Sequence, residues 1–224
     1  MCFSATASFV AGVSLSALGV ATAKKVERKA EIPFAMIPLL FGIQQIIEGM
    51  LWLSFRFGDP LLNTTMTYAF TLFSHVLWPV FVPFSIGLME QVMWRKKVIL
   101  MFQFMGIVVG LYLLFMIVKF TEHIVYVSPH FYPVPVMAIY LAATCVGAFF
   151  SSSKIINVFG VLALLLFMLA YWIHSAAFFS IWCFFAAILS AIIYLHFKLG
   201  KRYSLNLKRD IVQSGLHRVE KDDG

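Results

Sequence analysis

The chain has 224 residues, of which 62% are hydrophobic, 17% aromatic and only 12% charged, and it carries a net charge of +7. That balance excludes a soluble globular domain and points to an all-α, polytopic membrane protein. The apolar runs leave no length for a separate soluble domain, so any chemistry has to sit in the helices, and the positive charge reads as topological, with no nucleic acid as partner.

Hydropathy predicts a seven-transmembrane-helix bundle, with spans at Phe3–Ala23, Pro33–Phe55, Asn63–Met89, Val98–Phe120, Tyr132–Phe150, Ile155–His174 and Ala177–Phe197. Residues 1–199 form this domain and 200–224 a basic tail. At the start, Met1 is followed directly by Cys2 and small or apolar residues, so no signal peptide is expected and the first helix stays. Ser4, Ser8, Gly12 and Ser16 then recur at four-residue spacing, a stripe that lets another helix approach closely.

The second span holds Glu48, the one carboxylate well inside an apolar stretch. An ionised group at membrane depth costs on the order of a few kcal/mol or more unless it finds a partner, a cavity or an ion. Gln44 and Gln45 lie one turn before it and Trp52 one turn after, so this polar face is expected to line the bundle interior. The third span supplies Thr67, Thr71, Ser74, His75, Trp78, Pro79 and Pro83. Pro79 cannot donate to the carbonyl four residues earlier, so a kink is expected there, with the His75 carbonyl freed beside its own imidazole.

Cys145, in the fifth span, reads as a small buried hydrophobe. The sixth and seventh spans are separated only by His174 and Ser175, where a tight hairpin is expected because an unbroken helix of that length would be about twice the bilayer thickness. Cys183 follows early in the seventh. Cys2 and Cys183 both fall in outward halves, where pairing in a disulfide, metal ligation or plain packing are all open. The tail from Lys198 mixes basic and apolar residues, as a short helix on anionic headgroups does, or a solvated terminus.

The cations set the orientation. Four lie in the loop from Lys24 to Lys29, three at Arg95, Lys96 and Lys97, one at Lys154 and seven from Lys198 onward, leaving Arg56 and Lys119 on the other side. With seven spans this predicts the N-terminus outside and the C-terminus cytoplasmic. Under that topology Glu48, His75, His174 and Cys183 form a funnel of polar groups narrowing from the outer face.

Carboxylate, imidazole and thiol are donors that zinc or another divalent metal prefers. The candidate ligands are His75, His174, Cys183 and Cys2, with Glu48 and His75 as the catalytic pair and Gln44, Gln45, Trp52, Thr71, Ser74, Trp78 and Ser4 lining the pocket. No local ligand motif stands behind this set.

The opening Met1, Cys2, Phe3, Ser4, Ala5, together with Glu48, Gly49, Trp52 and Ser74, His75, Trp78, Pro79, resembles an uncharacterised bacterial family of small multi-helix membrane proteins. The resemblance implies a multi-pass protein of the bacterial cytoplasmic (inner) membrane and no particular activity. In helix number the chain is also loosely similar to the seven-helix hydrolase superfamily of alkaline ceramidases and adiponectin receptors, which hold zinc with three histidines. It departs from that pattern in having only His196 in the seventh helix and no Asp in the early spans.

Two function classes follow. In one, a divalent metal activates water, with Glu48 as general base, to hydrolyse a lipid or small amphiphile. In the other, Glu48 and His75 are relay groups of a proton- or cation-coupled transporter or channel. A non-catalytic sensor or scaffold is the third reading. Membrane lipid is the expected partner in all of them, and an oligomer is compatible with each.

Overall fold

The computed structural model describes residues 4–119, 133–173 and 178–199, and among these every regular element is a helix. Six stretches are long and apolar enough to cross a membrane: Ala5–Ala23, Lys29–Phe57, Pro60–Met89, Met93–Val118, Lys154–Ile173 and Ile181–Leu199. The predicted fifth span is instead a shorter apolar helix, Val134–Phe150. It runs as α-helix to Thr144 and finishes as a 3-10 helix, Val146–Phe150. Its length is at the short end of what spans a bilayer, and the rise of its 3-10 turns, about 2 Å per residue, lengthens it slightly.

Helix α1 (Ala5–Ala23) begins on Ser4, whose hydroxyl accepts from the Ala7 amide, as N-cap serines do. It packs antiparallel on α3 (Ile37–Phe57), which follows the short helix α2 (Ile32–Ala35). Small residues on both sides make this pairing close. A Cβ on Gly19 would stand 2.5 Å from the Leu39 amide nitrogen, and one on Gly42 would stand 2.5 Å from the Ser16 hydroxyl. Close backbone approach through glycine and serine is how apolar helices gain dispersion contacts without a hydrophobic driving force.

Helix α3 ends at Gly58, whose φ of 64° is the left-handed conformation that suits glycine. Asp59 then caps α4 (Pro60–Thr71), accepting from the Leu62 amide at 3.0 Å, with Pro60 in the first turn where a missing amide costs nothing. Phe57–Gly58–Asp59–Pro60 is therefore a complete stop-and-start signal, and it makes α3 and α4 an antiparallel hairpin.

Helix α4 passes through a π-helix, Leu72–Leu77, into α5 (Trp78–Met89). Helix α6 (Met93–Lys119) lies so close to α5 that a Cβ on Gly106 would overlap the Pro79 carbonyl oxygen. After α7 (Val134–Thr144) and its 3-10 extension come α8 (Lys154–Ile173) and α9 (Phe178–Leu189), the latter resuming as helix over 191–199. Trp182 donates to the Ala163 carbonyl at 2.9 Å, and near the other end Ser153 meets His196 at 3.3 Å, so α8 and α9 lie side by side and antiparallel. Two separate helices were expected here; the connection at 174–177 lies outside the described residues.

Helix α9 closes the bundle against α1 and α3. Phe34 meets His196 edge-on, Lys25 sits over Tyr194, and Glu90 binds Ser152. These contacts bring the segments around Lys24–Lys29, Arg95–Lys97, Lys154 and Lys198 to one end of the bundle, the basic end.

Candidate functional site

Glu48 is 2% exposed on the inner face of α3. Its carboxylate accepts from the Gln45 side-chain amide at 3.4 Å. Gln44, one turn away, accepts from the Trp78 indole N–H at 2.7 Å, and Trp78 stacks on Phe41 with ring centroids 3.9 Å apart. This bond fixes the register of α3 against the helix coming back. Glu48 is about 6 Å from Gln44 along the axis, and His75 about one turn from Trp78 in the same direction, so the two stand at one height.

The π-helix decides which backbone acceptor is freed. Its wide turns make the Trp78 amide reach back five residues to the Phe73 carbonyl. The amide that would serve Ser74 next belongs to Pro79, which has none. The Ser74 carbonyl instead accepts from the Tyr140 hydroxyl at 2.5 Å, across from α7. The sequence placed the freed acceptor at His75; the extra residue in the wide turn makes Ser74 the carbonyl engaged from outside the helix. Single π-turns inside α-helices recur at functional sites.

His75 is 6% exposed, and its Nδ1 lies 2.6 Å from the Ser74 hydroxyl. Thr71, one turn earlier, donates to the Thr67 carbonyl at 2.7 Å, and nearer the turn Asn63 donates to Ser54 at 3.0 Å. Several buried polar atoms have no partner: Gln44 Nε2, Gln45 Oε1 and Trp52 Nε1 on α3, and the Tyr68 hydroxyl on neighbouring α4. Buried polar groups are nearly always satisfied, so such a group of orphans marks a place for water or a ligand.

Polar side chains thus form a column from the Gly58–Asp59 turn to the level of Gln44. Past it, toward the basic end, the interior is Phe34, Ile37, Phe41, Val82 and Ile86, all buried. Buried hydroxyls on this side are tied to carbonyls of their own segments: Ser85 to Phe81 and Val82, Thr22 to Leu18 and Ser190 to Ala187. The Phe41–Trp78 stack, with Gln44 bonded to it, is the floor of the column.

Of the expected pocket residues, Gln44, Gln45, Trp52, Thr71, Ser74 and Trp78 lie on the elements that make this column. Ser4 is exposed and serves as the cap of α1. His174 and Cys2 fall outside the described residues. Cys183 is buried but lines a different space, a cavity of about 30 Å³ shared with Phe41, Trp78, Cys145 and Trp182, whose walls include neither Glu48 nor His75. Among the described residues no three His, Cys, Asp or Glu side chains converge. The described part of the site therefore offers Glu48 and His75, short of the three protein ligands that a catalytic zinc site uses.

One buried carboxylate escapes a hydropathy reading. Glu90, 5% exposed in the α5–α6 connection, accepts from the Val92 amide at 2.9 Å, the Ser152 amide at 2.7 Å and the Ser152 hydroxyl at 2.6 Å. Burial works against its charge, but these bonds and one from the Gln91 amide outweigh it and hold the carboxyl below its ordinary range. Arg95 donates to the Ser151 carbonyl beside it at 3.0 Å. The cluster clamps two connections at the basic end, away from the column.

A family model described as a family of unknown function, DUF6629, matches residues 1–208. The chain belongs to that family. The match spans both the bundle and the first part of the tail. Among curated proteins and among solved structures no match to the chain is found. The likeness to the seven-helix hydrolases gains no support from these comparisons.

Proposed function

We propose that the protein is a multi-pass membrane carrier that couples a proton to the movement of a small hydrogen-bonding solute. Glu48 carries the proton and His75 is its partner across the site. The basic end faces the cytoplasm, by the positive-inside rule, and the column opens to the opposite side. The observation that carries this reading is that the polar column stops halfway, at the Gln44–Trp78–Phe41 layer. A site wet from one side and sealed on the other is what alternating access requires, and a buried ionisable group at its end marks a relay.

The helix that bears the seal is built to bend. The π-helix, Pro79 and Pro83 each remove or displace a helical hydrogen bond within twelve residues, from Leu72 to Pro83. The apolar cavity beside Phe41 and Trp78 leaves the packing around their rings incomplete. Orphaned donors on Gln44, Trp52 and Tyr68, with the orphaned acceptor on Gln45, suit a solute that carries both.

Purified protein in liposomes loaded with a pH-sensitive dye tests this reading, with an imposed pH gradient and pools of small polar solutes. Native protein is expected to move protons with at least one pool, and Glu48→Gln, nearly isosteric, to stop the flux while remaining folded. Equal flux in the variant, or none above empty liposomes for native protein with every pool, contradicts it. The hydrolytic reading keeps Glu48 as general base beside a metal on His75 and His174, with Cys2 as a further ligand, and it predicts stoichiometric zinc or another divalent metal on elemental analysis.

A further inference from the structure

At the basic end, the helical segment 191–199 meets the chain as it leaves α1. Tyr194 there is flanked by two ammonium groups from different parts of the chain. Lys25 Nζ lies 5.5 Å from the ring centroid and Lys198 Nζ 5.8 Å. Each cation is attracted by the ring, and with both within 5.8 Å of one centroid two positive charges gather at one place on the surface. Among the described residues the ion pair formed is Arg28 with Glu31, at 2.7 Å, and neither lysine enters it. Apolar side chains on the same two helices, Val20 and Leu195, are exposed.

We propose that Lys25, Tyr194 and Lys198 form a binding site for the phosphate of an anionic phospholipid, independent of the carrier site. One phosphate reached by both lysine side chains gains two charge attractions. The ring keeps both ammonium groups beside it, which lowers the ordering cost of binding. A lipid is favoured over free phosphate because the helices that lead from the lysines into the bilayer, where acyl chains lie, expose apolar side chains such as Val20 and Leu195.

The full-length protein in phosphatidylcholine nanodiscs, titrated with phosphatidylglycerol and read by native mass spectrometry, tests the site. Native protein is expected to retain phosphatidylglycerol in preference to phosphatidylcholine. Lys25→Gln with Lys198→Gln should bind it roughly 30-fold more weakly, the share of two basic residues in attraction to an anionic surface. The Lys25→Arg, Lys198→Arg protein should keep binding, and Tyr194→Leu should weaken it with both charges present. Millimolar inorganic phosphate should not displace the lipid. Unchanged binding in the double Gln variant or in Tyr194→Leu, no preference over phosphatidylcholine, or displacement by inorganic phosphate each overturns the proposal.

Discussion

Ser74 shows how one residue's hydrogen bonding reaches across the bundle. Its carbonyl loses a helical donor to the π-helix and to Pro79, and gains the Tyr140 hydroxyl. A buried carbonyl left without a donor costs about 1–3 kcal/mol. Tyr140→Phe keeps the ring that packs edge-on against Trp182 and removes only the hydroxyl, so it should lower stability by about that much, as read by thermal unfolding in detergent. An unchanged melting temperature would show that the Ser74 carbonyl has another donor. Pro79 alone reveals from sequence that an acceptor is freed in this region; which one depends on whether the preceding turns are α or π, and side-chain pattern does not encode that register. Glu48 was legible because a carboxylate amid isoleucines and glycines has no bland explanation. Glu90 was not, because a carboxylate in a short connection reads as solvated, and its partner Ser152 is 62 residues away in the chain.

Among the elements, the α1–α3 pair was partly readable. The stripe Ser4, Ser8, Gly12, Ser16 announces close packing, but the contact continues through Gly19 and uses Gly42 and Gly49 on the partner. Gly19→Ala places a methyl group 2.5 Å from the Leu39 backbone nitrogen, where no rotamer change relieves it. The helices have to separate, and a loss of about 1–3 kcal/mol is expected, the usual cost of overpacking, against no loss beyond helix propensity for Ala17→Gly at an exposed position of the same helix. Melting curves of the two variants check this, and equal stability of Gly19→Ala and native protein would contradict the packing described. The Glu90 clamp gives the connections a pH dependence with a definite sign. Its carboxyl is held below the ordinary value in the folded protein, so its contribution is present above the carboxyl's unfolded value and is lost as pH falls through the folded one. Native protein should therefore lose more stability on acidification than Glu90→Gln. Parallel stability–pH curves for the two proteins would remove the clamp from the account.

For the whole molecule, hydropathy located most of the elements to within a few residues, because apolar length is written directly in composition. It over-read the fifth, where Cys145 leaves the α-helix and the chain tightens into 3-10 turns beside Gly160, whose missing side chain admits the Cys145 carbonyl. The gathering of the basic segments at one end follows from up-and-down packing of neighbours, and it leaves the polar column in the half of the bundle away from them. The central claim is that Glu48, at the closed end of that column, exchanges its proton with water. Infrared difference spectroscopy of the reconstituted protein, recorded on changing pH and on exchange into heavy water, reads a carboxyl group directly. Native protein should show a carboxyl band that shifts in heavy water and is lost as a carboxylate band grows, and Glu48→Gln should lack both. A native spectrum in which no band assignable to Glu48 titrates or exchanges while the protein stays folded would contradict the claim.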